Sequence, residues 1–295
     1  MMGISTNATD RPSSKAAQVI ALTQRLSAAG LPVQRATDVA QVFPSAAASQ
    51  NKQVRPQLSV VPESVASEPY ESNSAAPETS SSVRTASGAT MGTVAIPEAL
   101  QSMLPTGGLP RRRLSTCGNS PLLVVELIAA ALQAGNYVAV VNWPQLLLTQ
   151  LVDYGINVER LVLIPHPGAD PLGVVGMLVD GIDLVVYHDA GGGAVRNRQL
   201  PPTQIRPLTA KLRRGCAAVL VVGAQVSHAA VQISATPIHI HGLGYGTGRI
   251  RGIELAVAVT VQGRPAQHRQ LMVTATGFTR PTRAAEGRLR CRNAV

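Results

Sequence analysis

The chain has 295 residues, 45% hydrophobic and only 3% aromatic, enough for one medium-sized domain with appendages around a core of Leu, Val, Ile and Ala. Three widely spaced cysteines, Cys117, Cys216 and Cys291, form no CxxC pair; this excludes a disulfide framework or a zinc site and fits a reducing compartment, with Cys117 and Cys216 expected as buried filler. The net charge is +10, yet from Arg196 to Val295 fifteen Arg and Lys stand against two acids, while the first 195 residues hold eleven basic and fourteen acidic side chains; such asymmetry points to a polyanionic partner or an acidic protein surface, or else to an ordinary solvated basic face.

In chain order, the first fifteen residues lack the apolar segment of a secretory signal. Residues 15–29 predict a short amphipathic helix with Val19, Ile20, Leu22 and Leu26 apolar and Gly30 as its stop. It is too short to be stable alone and should dock on the core, a neighbouring subunit or a partner. Residues 1–43 thus read as an N-terminal extension. Residues 44–92, rich in Ser, Ala, Pro, Gln and Thr without hydrophobic periodicity, read as a disordered linker.

Residues 93–278 read as the folded core. Strands are expected at 113–117, 137–142, 161–164, 182–187 and 217–222, and helices at 121–134, 144–154, 171–180 and 203–214. Helix 121–134 has Ser120 as N-cap, Pro121 at its first position and Gly135 at its stop. Glu126 and Gln133 interrupt this longest apolar run, which is too short to span a bilayer; a cytoplasmic protein without membrane contact is expected. Short apolar strands between amphipathic helices predict an α/β fold, a mainly parallel sheet covered on both faces. Beyond it, Ile253, Leu255, Val257, Val259 and Val261 alternate with smaller or polar residues, the period of a strand with one buried face. With 231–234, 238–240 and the stretch around Leu271 and Val273, it should extend the sheet in antiparallel fashion. Residues 279–295 read as a basic, disordered tail.

In a parallel sheet, ligands bind beyond the carboxyl ends of the strands, commonly at the first strand–loop–helix turn. Here that turn is Gly118-Asn119-Ser120-Pro121. A phosphate-gripping loop needs GxxxxGK[ST]: glycines let amides curl around the phosphates, lysine neutralises charge and a hydroxyl holds magnesium. The turn has neither the length nor the lysine, and Ser120 and Pro121 serve as an ordinary helix start.

Gly107-Gly108-Leu109-Pro110, the following strand, Gly118, the Leu127–Ala131 helix segment and Gly135 resemble the start of a RecA core. Tyr154–Leu161 and the strand Ile182–Val186 continue the likeness. The departures are specific: aligned on the helix, Ser120 stands where RecA proteins have their phosphate lysine, Pro121 where they have the magnesium hydroxyl, Pro144 near the catalytic glutamate, and His188, followed by Asp189, at the Walker B aspartate. The chain resembles the ImuA family, particularly its actinobacterial ImuA-prime branch. That resemblance implies a RecA-like three-layer core without ATP turnover, catalytic residue, cofactor or metal. It also implies an accessory role in damage-induced mutagenesis beside a Y-family polymerase-like protein of the ImuB type and an error-prone DNA polymerase.

The glycine-rich segments 189–202 and 242–248 make Arg196, Arg198, Arg249 and Arg251 candidate DNA contacts, sequence-independent and salt-sensitive; ordinary surface loops are the alternative. Arg280, Arg283, Arg288, Arg290 and Arg292 form a candidate partner-binding tail. His239 and His241 share one face of a strand, a poor metal site without a third ligand. A direct DNA-binding recombination accessory protein with residual nucleotide binding is the competing reading.

Overall fold

The computed structural model describes residues 14–35, 92–189, 198–244, 247–274 and 276–279. Most of the expected linker and the tail beyond Thr279 lie outside these residues. Helix α1 (Lys15–Ala28) begins at Ser14, whose hydroxyl accepts a hydrogen bond from the Ala17 amide. Of its apolar residues, Val19 and Leu26 are buried, whereas Ile20 is exposed. The following β1 (Gln34–Arg35) pairs antiparallel with β6 (Leu161–Ile164). The helix is therefore seated on its own core.

Next, β2 (Thr93–Ala95) and β3 (Gly108–Pro110) form an antiparallel pair around the short α2 (Glu98–Gln101). Then strands and helices alternate: β4 (Leu114–Cys117), α3 (Pro121–Gln133), β5 (Val138–Val141), α4 (Thr149–Asp153), β6, α5 (Pro171–Leu178) and β7 (Leu184–His188). They are followed by β8 (Arg198–Gln199), α6 (Pro202–Arg214), β9 (Ala218–Val222) and β10 (Ala224–Gln225). Helix α3 starts with Pro121, whose missing N–H removes nothing from a first turn, and stops where Gly135 adopts φ +80°.

Ten strands form one sheet in the order β1-β6-β5-β7-β9-β4-β11-β12-β13-β14. The six from β6 to β11 (Val231–Gly244) run parallel. On the far side, β12 (Thr247–Val261), β13 (Gln267–Thr274) and β14 (Gly277–Thr279) continue antiparallel. One face is covered by α3, α4 and the β2–β3 pair, the other by α1, α5 and α6, each over its own apolar cluster. The observed class is α/β with a large sheet, parallel in the middle and antiparallel at its edges.

Three expectations need correction. The pieces 231–234 and 238–240 are one strand, which pairs in parallel with β4 through Val231–Ile233 and antiparallel with β12 from Val231 to Gly244. The helix expected at 144–154 is confined to Thr149–Asp153, because Trp143 and Leu146 turn inward and leave Leu147 76% exposed. Cys216 is exposed rather than buried; it lies just ahead of β9, outside the packed strand.

Candidate functional site

The turn Gly118–Pro121 leaves the carboxyl end of β4. Two of its amides are already engaged: Gly118 N donates to the Ile233 carbonyl at 2.8 Å and Ser120 N to the Gly118 carbonyl at 2.8 Å. Ser120 is buried and starts α3 without a side-chain capping bond. Burial pushes the thiol of neighbouring Cys117 up to about 12, so it is neutral and unreactive at pH 7. The turn borders a cavity of about 230 Å³ lined with Thr116, Gln225, Gln232 and Ser234, with no charged side chain among the described residues that line it.

The neighbouring crevice lies between β5 and β7, whose following helices leave for opposite faces; such a divide is where α/β sheets ordinarily hold a ligand. Here protein fills it. The Trp143 and His188 rings stack with centroids 4.3 Å apart and planes 13° from parallel. Asn142 Nδ2 donates to the His188 carbonyl at 2.9 Å, and His188 Nδ1 lies 3.3 Å from the Asn142 carbonyl. Burial holds His188 below the ordinary imidazole range, partly offset by the Asn142 carbonyl and the Asp189 charge, so the stacked ring is neutral. Asp189 sits beyond the strand end, with Tyr187 Oη 3.5 Å from its Oδ1 and Arg198 Nε 3.9 Å from its Oδ2.

Of the candidate DNA contacts, the described ones fall on two elements. Arg196 lies outside the described residues. Arg198 is on β8, beside Asp189. Arg249 and Arg251 are on β12, where it forms an arm with β11. Among the described residues, β11 has no strand on its β4 side past Ile233, and β12 meets β13 only from Gly252 onward. The end of the hairpin is thus a two-stranded ribbon. Ile238, Ile240, Leu243 and Ile250 are exposed along it, Ile240 and Ile250 by more than half, and exposed apolar side chains clustered among arginines mark interaction surfaces. His239 and His241 are 6.5 Å apart edge to face, and His241 Nε2 lies 3.5 Å from Glu254 Oε2. Among the described residues no group of three or more His, Cys, Asp or Glu is placed to hold a metal. The candidate partner-binding arginines 280, 283, 288, 290 and 292 lie outside the described residues.

Two features escape the sequence reading. Asp183, nearly buried before β7, accepts from Lys15 Nζ, from Arg111 Nη1 at 2.7 Å and from the Tyr137 amide at 2.9 Å. The second is a basic cleft of about 840 Å³ lined by Arg112, Arg113, Arg206, Arg213 and His228, with no carboxylate among the described residues of its wall. The Arg111-Arg112-Arg113 triplet and the acid-free α6 were its signals in the sequence.

Residues 102–228 match a family model described as MT3502 N-terminal domain. The chain is also similar to the uncharacterized protein Rv3395c of Mycobacterium tuberculosis, 28% identical over 165 residues, which span 52% of this chain and 78% of that relative. The matched family region runs from the end of α2 to the turn before β11. It includes the Gly118–Pro121 turn, the Trp143–His188 stack and the arginines of the cleft, and stops short of the arm. No helix among the described residues is long and apolar enough to cross a membrane.

Proposed function

We propose that the chain is a non-catalytic RecA-like accessory protein of the ImuA-prime type, a cytoplasmic scaffold for translesion synthesis and induced mutagenesis in the DNA damage response. The observation that carries this reading is the Gly118–Pro121 turn. It occupies the place of a phosphate loop, yet spends two amides on the protein's own carbonyls and carries no positive charge. A γ-phosphate needs charge neutralisation and preorganised donors; this turn supplies no charge and has two of its amides already engaged. The stacked Trp143 and His188 support the same reading, because they fill the crevice where nucleotide chemistry would be arranged. The strand succession, with β4 leading into the turn and β7 ending at His188-Asp189, is compatible with a RecA core that has lost its active residues.

Contact in place of turnover requires surfaces. The arm offers apolar side chains among arginines, and the tail beyond Thr279 adds the other arginines. The partners proposed for them are a Y-family polymerase-like protein of the ImuB type and an error-prone DNA polymerase. Affinity capture with the full chain from DNA-damaged cells tests this: a Y-family homologue should be recovered and should be lost with Ile240→Asp/Ile250→Asp on the arm or on deletion of 280–295. Recovery of cell-division or metabolic proteins instead would reject the scaffold reading. A second reading, a direct DNA-binding recombination accessory protein, is favoured by the exposed Arg249 and Arg251 without carboxylate partners.

A further inference from the structure

Away from both the closed turn and the arm, four arginines line one cleft without a carboxylate partner among the described residues. We propose that the cleft between α6 and the turns flanking β4 and β11 is a binding site for the phosphodiester backbone of a nucleic acid. Arg112 and Arg113 reach it from the turn before β4, Arg206 and Arg213 from α6, and His228 from the turn before β11. Arg112 Nε donates to the Gly215 carbonyl at 2.9 Å, which fixes that side chain at the cleft wall. Arg113, Arg206 and Arg213 have no hydrogen bond or ion pair through their side chains among the described residues.

Folding alone does not account for this charge. Four guanidinium groups around one cleft repel one another, and α6 contains four basic residues, no acid and no acidic residue in its first turn. The helix dipole favours Arg213 in the last turn, but not Arg206 near the positive end. Arginine is the side chain suited to phosphate, through its flat fork of donors. The spacing selects the form of phosphate. Arg206 and Arg213 are seven residues apart, about 10 Å along the helix, too far to share one phosphate group. That rise matches about three successive phosphates of a strand, at about 3.4 Å of axis each. Leu200 and Ile205 are buried at the cleft, and Thr209, Ser227 and Gln262 add only uncharged polar groups to its lining, so the arginines dominate and binding should depend on salt more than on sequence. The site does not depend on the scaffold reading: capture of a polymerase-like partner and binding of a nucleic-acid strand can each fail alone.

The test uses the full chain and fluorescein-labelled oligonucleotides, single-stranded and duplex, with anisotropy followed across a salt series. Arg206→Gln/Arg213→Gln should weaken binding roughly tenfold at low salt and reduce the slope of log K against log salt by roughly 1.4 to 1.8, the loss expected for two phosphate contacts. Arg206→Lys/Arg213→Lys should restore most of the slope, and Arg113→Gln, outside the helix, should lower it independently if the helix variant is less stable. An unchanged slope in the glutamine variants, absence of binding by the wild-type chain at low salt, or full displacement of the oligonucleotide by equimolar inorganic triphosphate would each overturn the assignment.

Discussion

At Asp183 the positive charges of an N-terminal helix and of a turn converge on one nearly buried carboxylate. Burial alone would raise its pKa; Lys15, the Tyr137 amide and Arg111 outweigh that and hold it below the ordinary carboxylate range. The sign of the pH dependence follows. The stabilisation is fully present above the unfolded value of about 3.9 and is lost as pH falls through the lower folded value. Asp183→Asn should cost roughly 2–3 kcal/mol at pH 7, with the smaller share through Lys15, which is 43% exposed and screened by solvent. Urea unfolding at several pH values should show the gap between wild type and variant closing below pH about 4; a gap independent of pH would show that the carboxylate's charge contributes nothing. The sequence did not reveal this cluster, because residues 15, 111, 137 and 183 meet only after the chain has crossed the sheet. By contrast, the start of the helix at Pro121 was legible locally, since a proline at the first helical position has a local meaning, although Ser120 at the N-cap position makes no side-chain capping bond.

Among the elements, the parallel strands were the most readable, and Leu161–Ile164 lies where its apolar run predicts it. Local pattern failed where a distant partner decided the conformation. The residues at 144–148 have a helical pattern, but Trp143 turns into the β5–β7 crevice to stack on His188, 45 positions away in sequence, and tertiary contact overrides propensity. The arm failed for another reason: Pro237 reads as a strand break, yet β11 is an edge there and needs no amide on its open side. Register shifts flank His239 and His241 and disguise the period of two. Gly242 holds the second irregularity at φ +94°, and a Cβ there would lie 2.2 Å from the Arg249 carbonyl oxygen. Gly242→Val should therefore open the arm while the core stays intact, since strain of about 1–3 kcal/mol falls on a ribbon that carries no buried core. Trypsin cleavage at Arg249 and Arg251 should quicken by roughly 5- to 100-fold with little change in melting temperature. Equal cleavage rates would mean that the turn at Gly242 does not set the register.

Over the whole molecule, the charge asymmetry now has places. Part of the basic surplus faces the cleft through α6 and part is carried by the arm, while the N-terminal helix is folded back onto the chain's own sheet. The basic cleft lies apart from the Gly118–Pro121 turn, and the crevice between β5 and β7 is occupied by the stacked Trp143 and His188. A short turn that carries no positive charge and has two of its amides bonded to the protein's own carbonyls cannot hold a triphosphate. Calorimetric titration of the full chain with magnesium-ATP tests this most directly. No saturable heat is expected, with any Kd weaker than about 1 mM; tight, magnesium-dependent binding that is lost on chelation would show that the turn grips a triphosphate after all.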